Sequence, residues 1–435
     1  MILWDIIEEH LDEASFIWTQ WERTLESPEY QLQEVLEGPE ERLHANLEGL
    51  VQGGDAVARK LLLPALDEED PGLVCASALA LLSGGMEAHT EELVKRLAMA
   101  SPALRPCFAR VLGLAGAESV TLRLMSLLRE DVPSAVLATV LDILENRAVP
   151  PGAALEPFLR GTEPDLWASA LRIAARTPGR LDRNTWQRAL GSPDPIVQEA
   201  ALEAGLLMGF RAAWRTCQDH MHSPGSLGRT AMLLFALGAH PKELPMLSEK
   251  PGSSGRQIET LWALGFSGQV LAAEACLEWM SDKAVARVAA EAFCAITGLV
   301  LEGPYVREEP EPQEDSDAPE QEDLDADLSL KPEAALALPE PVEIRTWWSQ
   351  ARSRFTPGTR YLYGKPFDAP ALAQALLEAP MRRRHVLALE LAIRSRGEHV
   401  LRTRAFAREQ RSKLAGMKLN GASLSTRSFT DWVTL

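Results

Sequence analysis

Between Glu40 and Ala236 the apolar positions fall into columns that repeat. A small residue stands at Ala45, Ala76, Cys107, Ala138, Ser169, Ala200 and Ala231. Two positions later an apolar column runs through Leu47, Ala78, Ala109, Val140, Leu171, Leu202 and Leu233. Three beyond that come Leu50, Leu81, Leu112, Ile143 and Ala174, with Gly205 as a weak member. Offsets of two and five, with apolar residues between, put one buried stripe on a helix. Polar and breaking residues then intervene, at Ser83-Gly84-Gly85, Gly116, Pro150-Pro151-Gly152, Pro178-Gly179 and Gly209. A second amphipathic run follows each break, such as Glu91 to Ala100 or Glu118 to Arg129. The unit is helix, turn, helix.

Proline marks the same period. Pro71, Pro102, Pro133, Pro164 and Pro195 are roughly 31 residues apart, the spacing of stacked helical hairpins. In the first turn of a helix a missing N–H costs nothing, because that donor has no intrahelical partner. Asp70, Ser101 and Asp194 precede three of these prolines as N-cap acceptors. Such a hairpin cannot bury both faces alone, so neighbours must stack into a continuous core. β-branched runs are scarce and no strand alternation is visible. The expected fold is all-α: an α-solenoid of about eight helical hairpins.

The expected organisation has four parts. Residues 1–38 form an N-terminal helical cap, with Ile7, Leu11, Ala14, Trp18 and Trp21 on one face of the helix Trp4 to Leu25, and a second helix near Leu32 to Glu37. Residues 39–300 are the repeats, 301–343 an acidic Pro-rich linker, and 344–435 a basic helical module, docked on the array or free of it.

The net charge of −18 conceals a sharp division. From Glu302 to Glu343 about fifteen acids face Arg307 and Lys331, and from Arg345 onward about seventeen bases face about six acids. The stretch Glu308 to Asp327 has too little apolar surface to offset chain entropy, and reads as a disordered spacer. Its charge sets up a second expectation, that it folds back on the Arg-rich tail.

Chemistry is sparse. Cys75, Cys107, Cys217, Cys276 and Cys294 are widely spaced, with no C-x-x-C, and read as small core residues of a reducing compartment. No run is long and apolar enough for a membrane span. These features point to a cytoplasmic protein without membrane insertion. His220, His222 and His240 lack partners at ligand spacing. Neither a phosphate-binding glycine loop nor a G-x-S-x-G elbow is present, so no catalytic, cofactor or metal residue is assigned.

The segments Ile6 to Trp18, Glu41 to Leu50, Trp347-Trp348 and Gly358-Thr359-Arg360-Tyr361-Leu362-Tyr363-Gly364-Lys365-Pro366 resemble an uncharacterised proteobacterial family of HEAT-like repeat proteins, often encoded in or beside type VI secretion clusters. The resemblance covers nearly the whole chain. It implies an accessory or adaptor role, with a secretion effector or spike component as protein partner, and brings no catalytic residues.

The expected function is therefore a non-enzymatic protein-binding scaffold working over a long concave face. Arg96, Arg123, Arg188 and Arg215 on the second helices, with Tyr361, Tyr363 and Lys365, are the candidate partner-binding residues. Nucleic-acid binding through Arg382-Arg383-Arg384, Arg394, Arg396, Arg402, Arg404, Arg408 and Arg411 is the rival from another class, but the acidic first 301 residues would repel a duplex laid along the array. A HEAT-like lyase is the third reading.

Overall fold

The computed structural model describes residues 2–129, 131–177, 179–248, 256–307, 332–419 and 424–433. The fold is all-α. Among the described residues, strand is confined to Tyr361–Leu362 paired antiparallel with Lys365–Pro366, plus an isolated bridge between Val306 and Pro339.

Among the described residues nine first helices follow one another in a row: Trp4–Thr24, Pro71–Ser83, Arg105–Leu114, Ser134–Asn146, Pro164–Ala175, Pro195–Met208, Gly225–Gly238, Gln257–Ser267 and Ala286–Thr297, each packed on the next. Second helices, among them Glu87–Met99, Glu118–Leu127, Arg183–Leu190, Arg211–His220 and Val270–Trp279, pack against them. The small column explains the close approach of neighbours. Ala76, Cys107, Ala138, Ser169, Ala200 and Ala231 are all buried. Ala45 is exposed, because Trp4–Thr24 packs on both Glu41–Gln52 and Pro71–Ser83 and interrupts the period at that end. Gly205 is a glycine for a reason: a Cβ there would come within 2.6 Å of the Trp186 ring and of the Ala213 methyl.

The proline comb divides. Pro71, Pro164 and Pro195 occupy the first helical turn, and the Asp70 carboxylate accepts from the Gly72 and Leu73 N–H groups, a cap worth about 1 kcal/mol. Pro133 is itself the cap of Ser134–Asn146, and Pro102 lies in a turn ahead of Arg105–Leu114. There the Ser101 hydroxyl accepts from the Leu104 N–H at 3.3 Å.

The chain beyond Pro332 packs on the row. Pro341–Ala351, Ala369–Glu378, Met381–Arg394, Ala407–Gly416 and Phe429–Trp432 lie against the row. Order also extends into the expected linker: Arg307 pairs with Glu340 at 3.0 Å, and its N–H donates to the Leu338 carbonyl at 2.9 Å. The acid-rich stretch 308–331 is outside the described residues.

The Arg-rich helix Met381–Arg394 touches the beginning, middle and end of the row. Its Met381 N–H donates to the Tyr30 carbonyl, Arg382 pairs with Glu291 at 3.5 Å, and Arg394 donates to the Leu237 carbonyl. Arg383, Arg384, Glu390 and Arg394 are buried within it. The expected aromatic cap is likewise covered by the tail, for Phe406 stacks 4.9 Å from the buried Trp21.

Candidate functional site

A helix leaves its last four carbonyls without intrahelical partners, and that end carries partial negative charge. The tail supplies donors to these ends one after another. Arg402 Nη1 donates to the Asn146 carbonyl at 2.5 Å, Arg396 Nη1 to Met208 at 3.0 Å, Arg394 Nη2 to Leu237 at 2.7 Å and Arg360 Nη2 to Phe266 at 2.9 Å. The hairpin's N–H groups complete the series, from Tyr361 to Gly268, Tyr363 to Ala295 and Gly364 to Ile296. Glycines at the ends of these first helices make the seats. A Cβ on Gly209 would sit 1.9 Å from Arg396, one on Gly238 2.1 Å from the Phe429 ring, one on Gly268 2.3 Å from the Tyr361 carbonyl and one on Gly298 2.6 Å from that of Tyr363.

This arrangement consumes most of the arginines that a nucleic-acid reading requires. It also reassigns part of the expected partner surface. Tyr361 is buried, and its hydroxyl accepts from the Thr356 N–H at 2.8 Å. Burial pushes the Tyr363 phenol up to about 12, and Lys365 donates to Gln374. Tyr361 and Tyr363 fasten the tail to the row through their N–H groups, whereas Lys365 is exposed and bonds within the tail.

The four expected second-helix arginines do not converge. Arg96 pairs with Asp67 and with Glu92, Arg123 with Glu87 and Glu91, and Arg188 donates to the Leu159 carbonyl while lying 4.7 Å from the Trp167 ring. Arg215 is exposed, without an ion pair among the described residues. The tail lies along the ends of the first helices and also meets two second helices, where Trp214 Nε1 donates to the Thr430 hydroxyl at 3.0 Å and Arg352 pairs with Glu274 at 2.6 Å.

A cleft of about 1250 Å³ opens where the row meets the tail. One wall is the end of Ser134–Asn146 with Arg147 to Pro150, and Ile173, Arg176 and Thr177 from the next first helix. The other is Gly397 to Arg402 with one side of Ala407–Gly416, ending at Met417 and Lys418. The second wall is anchored from afar. Glu40, buried at the end of the π-turn Leu36–Glu40, accepts from the Ala407 N–H at 2.5 Å and the Arg408 N–H at 3.0 Å. It thus caps the helix at its positive end. Burial raises the Glu40 carboxyl above its ordinary range, and those two donors oppose the rise.

Among the described residues six cations line the cleft against three acids. Arg147 is committed to the Leu112 and Ala117 carbonyls at 3.0 and 2.9 Å, and burial, then the nearby Arg402 charge, push its guanidinium down. Arg176 pairs with Glu145 at 2.6 Å and Arg402 with Glu409 at 2.8 Å. The side chains of Arg408, Lys413 and Lys418 are exposed and make no hydrogen bond or ion pair among the described residues, although the Arg408 charge acts on the Glu40 carboxylate. Gln410, itself buried, donates to the Thr403 and Ala405 carbonyls and leaves its Oε1 unpartnered. Val149, Pro150, Ile173, Val400, Leu401 and Met417 supply apolar surface between these charges.

Sequence reasoning missed this site because its walls come from residues far apart in the chain. The signal within reach was the run Arg396 to Lys418, basic and nearly free of acids. The histidines considered for metal are used locally: His222 Nε2 donates to the Met246 carbonyl at 2.8 Å, and His220 meets the Ser223 hydroxyl at 3.3 Å. Among the described residues no helix is long and apolar enough to cross a membrane. The chain matches no family model and no curated protein.

Proposed function

We propose that this protein is a non-enzymatic adaptor whose recognition site is the basic cleft, and that it takes an acidic segment of a partner protein. The observation that carries the reading is the convergence of Arg408, Lys413 and Lys418, unpaired among the described residues, on one trough of a chain whose net charge is −18. Apolar residues interleave with the cations, which suits a peptide with acidic and apolar side chains in turn. A volume of about 1250 Å³ also exceeds the usual small-molecule range of roughly 300–1,000 Å³.

The partner class we infer, a type VI secretion effector or spike component met in the cytoplasm, follows from the resemblance carried by Ile6 to Trp18, Glu41 to Leu50 and Gly358 to Pro366. Protein is favoured over nucleic acid because Arg382, Arg383, Arg384 and Arg394 are buried, and Arg396, Arg402 and Arg404 hold carbonyls or carboxylates of the chain itself.

The test is fluorescence anisotropy with a labelled peptide of repeated Glu-Asp-Leu, on the wild-type chain and on the triple variant Arg408→Glu, Lys413→Glu, Lys418→Glu. Exposed pairs contribute about 0.2–1 kcal/mol each, so losing three of them should weaken binding by roughly threefold to a hundredfold, at about 1.4 kcal/mol per decade. Equal affinity for both chains contradicts the assignment.

A further inference from the structure

We propose that the resting occupant of the basic cleft is the chain's own acidic segment, residues 308–331, which an acidic partner displaces; this rests on the reading of the cleft given above. Three observations carry it: where the segment is anchored, its charge, and its reach.

Both ends are held at the last first helix, Ala286–Thr297. Arg307 is fixed to Glu340 and to the Leu338 carbonyl, Arg287 of that helix donates to the Leu336 carbonyl, and Glu333 pairs with Arg382 at 2.9 Å. The segment therefore leaves and rejoins the fold in one neighbourhood. Eleven of its residues are Asp or Glu and one, Lys331, is a base. The tail offers that charge few unoccupied partners. Arg360, Arg382, Arg394, Arg396, Arg402 and Arg404 are bound to carbonyls or carboxylates already. Among the described residues Arg408, Lys413 and Lys418 are not, and all three line the cleft; the exposed Arg354 and Arg427, which lie outside it, are the other tail arginines without a side-chain hydrogen bond or ion pair.

Distance permits the contact. The anchor at Arg382 stands at the start of the 14-residue helix Met381–Arg394, and the cleft opens just past its other end at Gly397. A helix of that length spans about 21 Å. A segment running half its length out and half back, at roughly 3.3 Å per residue, reaches on the order of 40 Å. Tethered groups at such range meet at millimolar effective concentration, so weak individual pairs are sufficient to compete with a partner added at micromolar levels.

The experiment uses the full chain in two forms, wild type and a variant with the eleven acids of 308–331 replaced by Ser and Gln. Carbodiimide joins carboxylates to amines in direct contact, and mass spectrometry of the wild-type chain should find acids of 308–327 joined to Lys413 or Lys418. The Glu-Asp-Leu peptide should bind the neutral-segment variant roughly tenfold more tightly than wild type, because its tethered competitor is gone. Linkage only to lysines outside the cleft, with equal peptide affinity for both chains, overturns the inference while leaving the cleft's assignment standing. Failure of the peptide to bind either chain overturns both.

Discussion

Arg394 donates from Nη2 to the Leu237 carbonyl at 2.7 Å, well inside the molecule, and so joins the C-terminal helix to the end of a first helix more than 150 residues earlier. The same guanidinium donates from Nε to Glu390 at 2.6 Å and from Nη1 to the Ser425 and Arg427 carbonyls. Burial lowers it to about 10, so it stays charged at neutral pH. Burial raises the Glu390 carboxyl too, but the Arg360 and Arg394 charges outweigh that and hold it below its ordinary value.

Arg394→Met should therefore be strongly destabilising. It strands the Leu237, Ser425 and Arg427 carbonyls and leaves Glu390 with Arg360 alone. Breaking a buried pair from one side costs about 3–5 kcal/mol. Urea denaturation measures it, and a loss below about 1 kcal/mol, the scale of an exposed pair, would show that the tail does not hold the row.

Gly209 and Gly85 give a controlled comparison. Both have positive φ, +80° and +70°, so alanine is strained at either. Nothing lies within 4 Å of a Cβ at Gly85, whereas one at Gly209 would collide with Arg396. Gly85→Ala should cost about 1–2 kcal/mol, and Gly209→Ala should cost more by the contribution of the displaced Arg396. Equal losses would mean that Arg396 contributes nothing at the Met208 helix end.

The helical hairpins were legible because burial of one face forces a period, and Ala76, Ala138, Leu171 and Leu202 fall where that period requires. The docking of the tail was not. Contacts such as Ala407 to Glu40 or Arg404 to Glu26 join residues too far apart to leave a local pattern. Buried arginines such as Arg383 and Arg384 stood in the sequence as a run open to phosphate, because charge normally stays in water. One trace was present: Gly209, Gly238, Gly268 and Gly298 recur at about thirty residues, in step with the hairpins. Their meaning emerges only from what sits against them. Second-helix arginines such as Arg96 and Arg123 are ordinary surface ion pairs, which no sequence pattern separates from a binding face.

Acid should loosen the join between the two ends of the chain. His385 donates from Nε2 to the Leu25 carbonyl at 2.9 Å, and its Nδ1 meets the Thr403 hydroxyl at 2.7 Å. Burial lowers its pKa below the ordinary 6.5, and His44, beside Phe406, is lowered by burial as well. A histidine with a depressed folded pKa binds more protons unfolded than folded. Its contribution is whole above the unfolded value and is lost as pH falls below about 6.5. The melting temperature should drop between pH 7.5 and 5.5, and His385→Gln should flatten part of that slope. A His385→Gln variant whose melting temperature falls as steeply as that of wild type over the same interval contradicts the assignment.

Hydrogen exchange with the Glu-Asp-Leu peptide bound is the most direct measurement of where this protein recognises a partner. Slowed exchange is expected in Gly397 to Arg402, along Ala407–Gly416 and at the ends of Ser134–Asn146 and Pro164–Ala175, which together form the cleft. Protection instead on Glu87–Met99 and Glu118–Leu127, around Arg96 and Arg123, would return recognition to the second helices and contradict the account.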